Sequence, residues 1–269
     1  MKKILAVILS LVIVCAVLVG IAGVTATNLF AAGRLRGSGN IATKRIEAPD
    51  FTAVDASRAV KVVVTDDLTD AIVIEADDNV MEKVLVENRR GTLFVSIDKS
   101  VRRISAFSVT VRVPANGQIR ALDASSAAKI VCEKALGADR FAIGVSSAAV
   151  VEVALKASSC SIEVSSAGRV TAAMEVGSCS VEASSSAKAE LSGKADKCNA
   201  EVSSAAKLDA GRFVAADCTV EASSGASADV HCTGTLRASA SSGARITYCG
   251  GCEAFAERSS GGSVHSINR

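Results

Sequence analysis

Apolar residues recur along this chain at fixed offsets from a repeated serine pair. The pairs begin at Ser125, Ser146, Ser165, Ser184, Ser203, Ser223, Ser241 and Ser259, at spacings of 21, 19, 19, 19, 20, 18 and 18 residues. Three residues before them stand Leu122, Ile143, Ile162, Val181, Ala200, Val220, Ala238 and Ala256. Five residues after them stand Ile130, Val151, Val170, Ala189, Leu208, Ala228, Ile246 and Val264. All are apolar, and the positions between are mostly polar or tiny. Such alternation predicts strands with one buried face, because successive side chains of a strand point to opposite sides. The recurrence at three and four residues that a helix needs is absent.

Self-similarity at a fixed short period is the signature of a solenoid. About nineteen residues divide into three short strands joined by corners, with Ser-Ser-Ala or Ser-Ser-Gly as the corner after one of them. Successive units then stack as parallel strands about 4.8 Å apart, and the sterics of parallel crossovers favour a right-handed coil. The expected fold is an all-β, right-handed, three-sided parallel β-solenoid with coils of about 19 residues, preceded by an N-terminal hydrophobic helix. Residues 125–260 form its regular part. Residues 51–124 read as earlier coils, since Val54-Asp-Ala-Ser-Arg-Ala-Val-Lys-Val62 echoes Leu122-Asp-Ala-Ser-Ser-Ala-Ala-Lys-Ile130. Strand-like runs there are Ala71–Ala76, Thr92–Ile97 and Ser108–Val113, with the charged stretch Asp77–Glu87 as a short helix or loop. Residues 34–50 are a linker and first strand, and the polar tail 261–269 is a C-terminal cap.

Lys2 and Lys3 precede an apolar run from Ile4 to Val24 broken only by Ser10. Twenty-one residues are long enough to span a bilayer. Residues 1–33 therefore read as a signal peptide, cleaved after Ala26, or as a retained transmembrane signal anchor. Cys15 follows Val14, which is too large for lipoprotein processing. The basic start places everything beyond about residue 33 outside the cytoplasmic membrane. The expected location is extracytoplasmic, anchored or secreted at the cell surface, with residues 4–24 contacting the membrane.

Composition narrows the function. The chain is 49% apolar but 3% aromatic, with no Trp and one Tyr. A thin Ala and Val core suits many small layers rather than one wide centre. A net charge of +2 gives no field directed at nucleic acid. No nucleophile stands with a base, and His231 and His265 belong to no motif. No enzyme and no cofactor are expected.

Four columns carry the candidate chemistry. Cys160, Cys179, Cys198 and Cys218 share one inward position, with Phe141 and Leu236 in the flanking units. They read as packed thiols, since buried cysteine behaves as a small hydrophobe. Disulfides between rungs and a metal ladder are the alternatives. Two residues before the serine pairs, Glu163, Glu182, Glu201 and Glu221 stack on an outer face, a candidate for Ca²⁺ or a solvated face that resists strand pairing. Lys129, Arg169, Lys188, Lys207 and Arg245 form a basic stripe beside an acidic one at Glu152, Glu190, Asp209 and Asp229. It is a candidate glycan- or polyanion-binding face, or a compensated solubilising one. Finally, Cys249 and Cys252 form a lone CxxC, near His231 and Cys232. It is a weak Zn²⁺ signal, and a local disulfide or one from Cys232 to Cys249 suits an exported chain better.

The opening Gly37-Ser-Gly-Asn-Ile-Ala-Thr-Lys-Arg-Ile-Glu-Ala-Pro-Asp-Phe51 resembles the auto-transporter adhesin, head GIN domain family. So do Ile74-Glu-Ala-Asp-Asp-Asn79, Gly91-Thr-Leu93 and the recurring Ala-Ser-Ser-Ala-Ala-Lys corners. The likeness covers roughly residues 37–266. It implies an exported β-solenoid and brings no catalytic residues. Serines such as Ser126 stand where the family often uses glycine, and the cysteine column is unusual for it. The expected function is a non-catalytic adhesion or interaction module that meets an unidentified surface glycan or protein as a monomer. The alternatives are a self-assembling structural solenoid and, with less room for a cleft, a polysaccharide-active β-helix enzyme.

Overall fold

The computed structural model describes residues 34–68 and 70–267. The apolar run 4–24, expected as a helix, lies outside the described residues. Among those described, no helix is long and apolar enough to cross a membrane. Among the described residues the one helical element is a 3₁₀ turn, Met81–Lys83.

The architecture is an all-β solenoid of about eight turns. Its N-terminal part holds β1 (Arg34–Arg36), β2 (Ile41–Glu47), β3 (Ala53–Ala56), β4 (Lys61–Thr65), β5 (Ala71–Asp77), β6 (Val84–Arg89), β7 (Thr92–Ile97), β8 (Arg103–Ser105) and β9 (Val109–Pro114). The regular part continues with β10 (Ala121–Ala124), β11 (Lys129–Cys132), β12 (Leu136–Val145), β13 (Val150–Val164), β14 (Arg169–Ala183), β15 (Lys188–Val202), β16 (Lys207–Ala222) and β17 (Ser227–Ala240). It closes with β18 (Arg245–Cys249), β19 (Glu253–Arg258) and β20 (Ser263–Ser266).

From β13 to β16 each coil is one strand of 15 or 16 residues, paired in parallel with the strands of neighbouring coils. Separate short strands were expected. The ladder instead runs on through the bends, because most residues keep a partner one coil away. The bends appear as breaks in alternation. In β15, Ala189 and Leu191 point inward, then Ala195, then Cys198, Ala200 and Val202. Two outward residues follow one another at Gly193–Lys194, at Asp196–Lys197 and, after the strand, at Ser204–Ala205.

The serine corner is a tight turn closed by one hydrogen bond. The Ala128 N–H donates to the Ser125 carbonyl at 3.0 Å, and the same bond recurs from Ala149 to Ser146, Ala187 to Ser184 and Ala206 to Ser203. Both central residues are left-handed: Ser126 and Ala127 have φ of 51° and 61°, and Ser204 and Ala205 have 52° and 59°. That is the geometry of a type I′ turn, which ordinarily favours Asn-Gly. Here a second bond holds it. The Ala127 N–H donates to the Ser147 carbonyl at 2.9 Å, Ala148 to Ser166, Ala167 to Ser185, and so on through Gly243 to Ser260. The corners form a ladder of their own. Serine suits the position because it is small, and from Ser147 to Ser242 its neighbours above and below are also serines.

The expected N-terminal strands are present as β5, β7 and β9. The stretch 77–87 differs in part: it contains the 3₁₀ turn and then β6, a strand that pairs antiparallel with β7. β2 and β5 are also antiparallel, as are β5 and β9. This end of the solenoid is thus folded over by hairpins. Its fastener is the Gly37-Ser-Gly-Asn40 loop. Asp77, 2% exposed, accepts the Gly39 N–H on Oδ1 and the Ser108 N–H on Oδ2, both at 2.7 Å. The Ser38 hydroxyl donates to Asp78, and the Asn79 amide donates to the Arg36 carbonyl. A Cβ on Gly37 would stand 2.6 Å from Asp77 Oδ2. At the other end, β19 pairs with β17 and β20 with β18, and no described strand lies beyond them.

Candidate functional site

The wall that leads into each serine corner carries three outward columns. Register places them without ambiguity. Nearest the corner run Asp55, Asp123, Gly144, Glu163, Glu182, Glu201, Glu221, Ser239 and Glu257. Beside them run Ala142, Ser161, Ser180, Asn199, Thr219, Arg237 and Phe255. The third column holds Arg140, Ser159, Ser178, Lys197, Asp217, Thr235 and Glu253. The inward residues between them are the core: Ile143, Ile162, Val181, Ala200 and Val220 in one column, and the cysteines in the next.

Four depressions of the described surface open on this wall. The first, of about 450 Å³, lies among Asp55, Asp123, Gly144, Glu163, Glu182 and the corner serines 125, 146, 165 and 184. The second, about 500 Å³, is floored by Ser159, Ser161, Ser178 and Ser180 and edged by Arg120, Arg140 and Asn199. The third, about 310 Å³, lies among Lys197, Asn199, Asp217, Thr219, Thr235 and Arg237. The fourth, about 570 Å³, holds Phe255 at the C-terminal end. The first two depressions exist because side chains are small or missing there. At Gly144 a Cβ would stand 2.3 Å from Asp123 Oδ1, so the glycine lets the Asp123 carboxylate lie across the rung.

Burial raises the Asp123 carboxyl above its ordinary value, with repulsion from Asp55 and Glu163 adding to it. Burial likewise raises Asp55, against the opposing pull of Arg89. For a carboxyl the sign follows directly: the folded state binds protons more readily than the unfolded one. Stability therefore falls as pH rises from the ordinary value of 3.8 through the raised one. Asp123→Asn is expected to stabilise the protein at pH 7 by about 0.5 kcal/mol, the size of a like-charge pair opposed across strands. Urea unfolding at pH 7 and again below 3.8 checks it. The gain should vanish in acid, and a gain equal at both would refute the charge argument.

The basic stripe lies on a different wall. Lys129 stands in register with Lys61 and Val150, and Arg169, Lys188 and Lys207 follow in line, then Ser227 and Arg245. The acidic stripe runs beside it. Lys129 Nζ is 2.6 Å from Glu152, and Lys188 pairs with Glu190, whose carboxyl that hydrogen bond lowers. The wall spends cations on adjacent carboxylates.

Cys160, Cys179, Cys198 and Cys218 are buried free thiols in register between Phe141 and Leu236. Burial pushes the Cys160 thiol up to about 12. A hydrogen bond with Cys198, then burial, pushes Cys179 up as well. Thiols held this far from the thiolate are poor nucleophiles and poor metal ligands. Cys232 and Cys249 are buried and donate to backbone carbonyls, Cys232 to Ala216 and Thr235 and Cys249 to Val230. Cys252, half-buried, approaches Cys232. Among the described residues, no group of three or more His, Cys, Asp or Glu side chains is disposed to hold a metal ion.

The carboxylate column was readable from spacing alone. Phe255 was not, because one phenylalanine in a chain poor in aromatics gives no periodic signal. Only the register shows that it stands directly beyond Arg237 on this wall.

Residues 50–252 match the family described as "Putative auto-transporter adhesin, head GIN domain". The chain belongs to this family. Solved structures share the fold of the family member described here. A putative adhesin from Parabacteroides merdae is 18% identical with a TM-score of 0.80, over 88% of this chain and 100% of that one. A putative lipid binding protein from Parabacteroides distasonis is 19% identical with a TM-score of 0.78, over 87% and 100%. A putative adhesin from the same species is 17% identical with a TM-score of 0.75, over 87% and 100%. No curated protein sequence matches the chain.

Proposed function

We propose that this protein is an exported cell-surface adhesion module that works without catalysis, through the carboxylate and hydroxyl wall rather than the basic stripe. The observation that carries the reading is that four depressions open side by side on that one wall. A rigid ladder holds them at fixed spacing, so a partner with its own repeat meets several weak sites at once, and their affinities compound. Family membership and the long apolar run at residues 4–24 support export to the surface. The basic stripe fits less well, since Lys129 and Lys188 already have carboxylate partners.

The full chain, screened on an array of glycans and matrix proteins, tests this. Ser161→Arg and Ser180→Arg fill the second depression at outward positions that the core does not use. Each is expected to lower binding at least tenfold with the melting temperature unchanged. Neutralising Lys188 and Lys207 is expected to leave binding as it was. A wild-type chain that binds nothing on the array overturns the adhesion reading, and binding lost only with the lysines moves it to the other wall.

A further inference from the structure

We infer that the depression around Phe255 is a saccharide subsite that takes a neutral sugar ring. The inference rests on the adhesion reading and names the chemistry of one of its sites.

The site is a grid of three rungs by two columns. Thr219 and Glu221 lie on the first rung, Arg237 and Ser239 on the second, and Phe255 and Glu257 on the third. Together they line a depression of about 570 Å³, the size of a small-ligand site. Phe255 is 48% exposed, although aromatics are scarce in this chain and most large apolar side chains are buried. The Arg237 guanidinium lies 5.4 Å from the ring centroid, which fixes the ring against the rung below. Each part of this grid answers to a part of a pyranose. The C–H face of a sugar packs on the part of the Phe255 ring that Arg237 leaves open, since the ring is 48% exposed. Carboxylates such as Glu221 and Glu257 accept bonds from vicinal hydroxyls, and charged acceptors make the stronger bonds. Arg237 and the Thr219 and Ser239 hydroxyls supply donors for ring and hydroxyl oxygens.

The surroundings select against other ligands. Glu221 and Glu257 outnumber Arg237 in the lining, so a phosphate, a sulfated glycan or a nucleic acid meets net repulsion. A purely apolar ligand would strip water from two carboxylates and an arginine with nothing to pair them. The other depressions on the wall lack an exposed aromatic, which sets this one apart.

The test is calorimetric titration of the full chain with cellohexaose and with N-acetylchitohexaose, with a heparin hexasaccharide as the anionic control. A neutral oligosaccharide is expected to bind, and heparin is not. Phe255→Ala is expected to lose at least tenfold in affinity, and Glu257→Gln a few-fold, both with an unchanged melting temperature. If the neutral sugars fail while the array still shows capture of a protein, the subsite is wrong and adhesion stands. If Phe255→Ala binds as the wild type does, the sugar lies elsewhere and the assignment falls. Heparin binding that survives Phe255→Ala overturns it too.

Discussion

Gly193→Ala is expected to cost about 3 kcal/mol of folding stability, a large loss for one added methyl. Gly193 has φ of 110°, a region that residues with a Cβ avoid. Space is denied as well, because a Cβ there would stand 1.9 Å from the Met174 carbonyl oxygen. That oxygen cannot retreat cheaply. Met174 is in register with Gly193 on one side and with Leu155 on the other, so moving it disturbs two ladders. The glycine also stands opposite Phe213, one of the largest fully buried side chains, in a coil with one extra residue. Gly225→Ala is the matched control. Its φ of 70° lies close to that of Ala127, Ala148, Ala167 and Ala205, and nothing lies within 4 Å of its Cβ. It is expected to change stability by less than about 1 kcal/mol. Urea unfolding of both variants decides the matter: equal losses would mean that φ alone matters, and no loss at Gly193 would refute the close approach.

Val181→Asp is expected to cost about 4 kcal/mol or more and to break the single unfolding transition. Val181 is 1% exposed and lies in register between Ile162 and Ala200. A carboxylate there has no partner and no water, and burial of an unpaired charge is among the few mechanisms with so large an effect. In a stack where each coil touches only its neighbours, position along the axis matters as much as chemistry. A charge in the middle severs two blocks of coils. Val264→Asp, at the last strand, should cost less, because β20 pairs on one side only and can fray alone. Thermal melts followed by circular dichroism compare them. The expected pattern is a broadened or split transition for Val181→Asp and a modest shift for Val264→Asp. Equal effects would show that the solenoid unfolds as one unit whatever coil is struck.

What the sequence made legible was whatever repeats. Coil length, inward columns, the cysteine ladder and the carboxylate column all follow from one period, because register turns sequence spacing into spatial alignment. What does not repeat stayed hidden. The stretch Asp77–Glu87 reads as a short helix or loop because it is rich in charge, yet β6 begins at Val84 inside it, and an outer strand of a hairpin tolerates charged residues on its open side. The corner conformation was hidden for a different reason. Ser126 and Ala127 are poor choices for two successive left-handed residues by local preference, and bonds to the next corner override that preference. The depressions arise from what Gly144 and Ala142 lack, and an absent side chain leaves no pattern to read. Phe255 acquires meaning only from Arg237 one coil below.

The corner ladder has a consequence for how such a protein can change over time. Because each corner bonds only to the coils on either side of it, a whole coil can be gained or lost while the remaining turns keep the same kind of bond. Deleting one coil from the evenly registered stretch β13–β15 shortens the axis by about 4.8 Å and keeps the carboxylate and cysteine columns aligned. The hairpin-fastened end cannot be edited this way, since Asp77 ties it to Gly39 and Ser108. The molecule is therefore a ruler with one fixed end, and evolution can set the reach of its carboxylate and hydroxyl wall in single graduations.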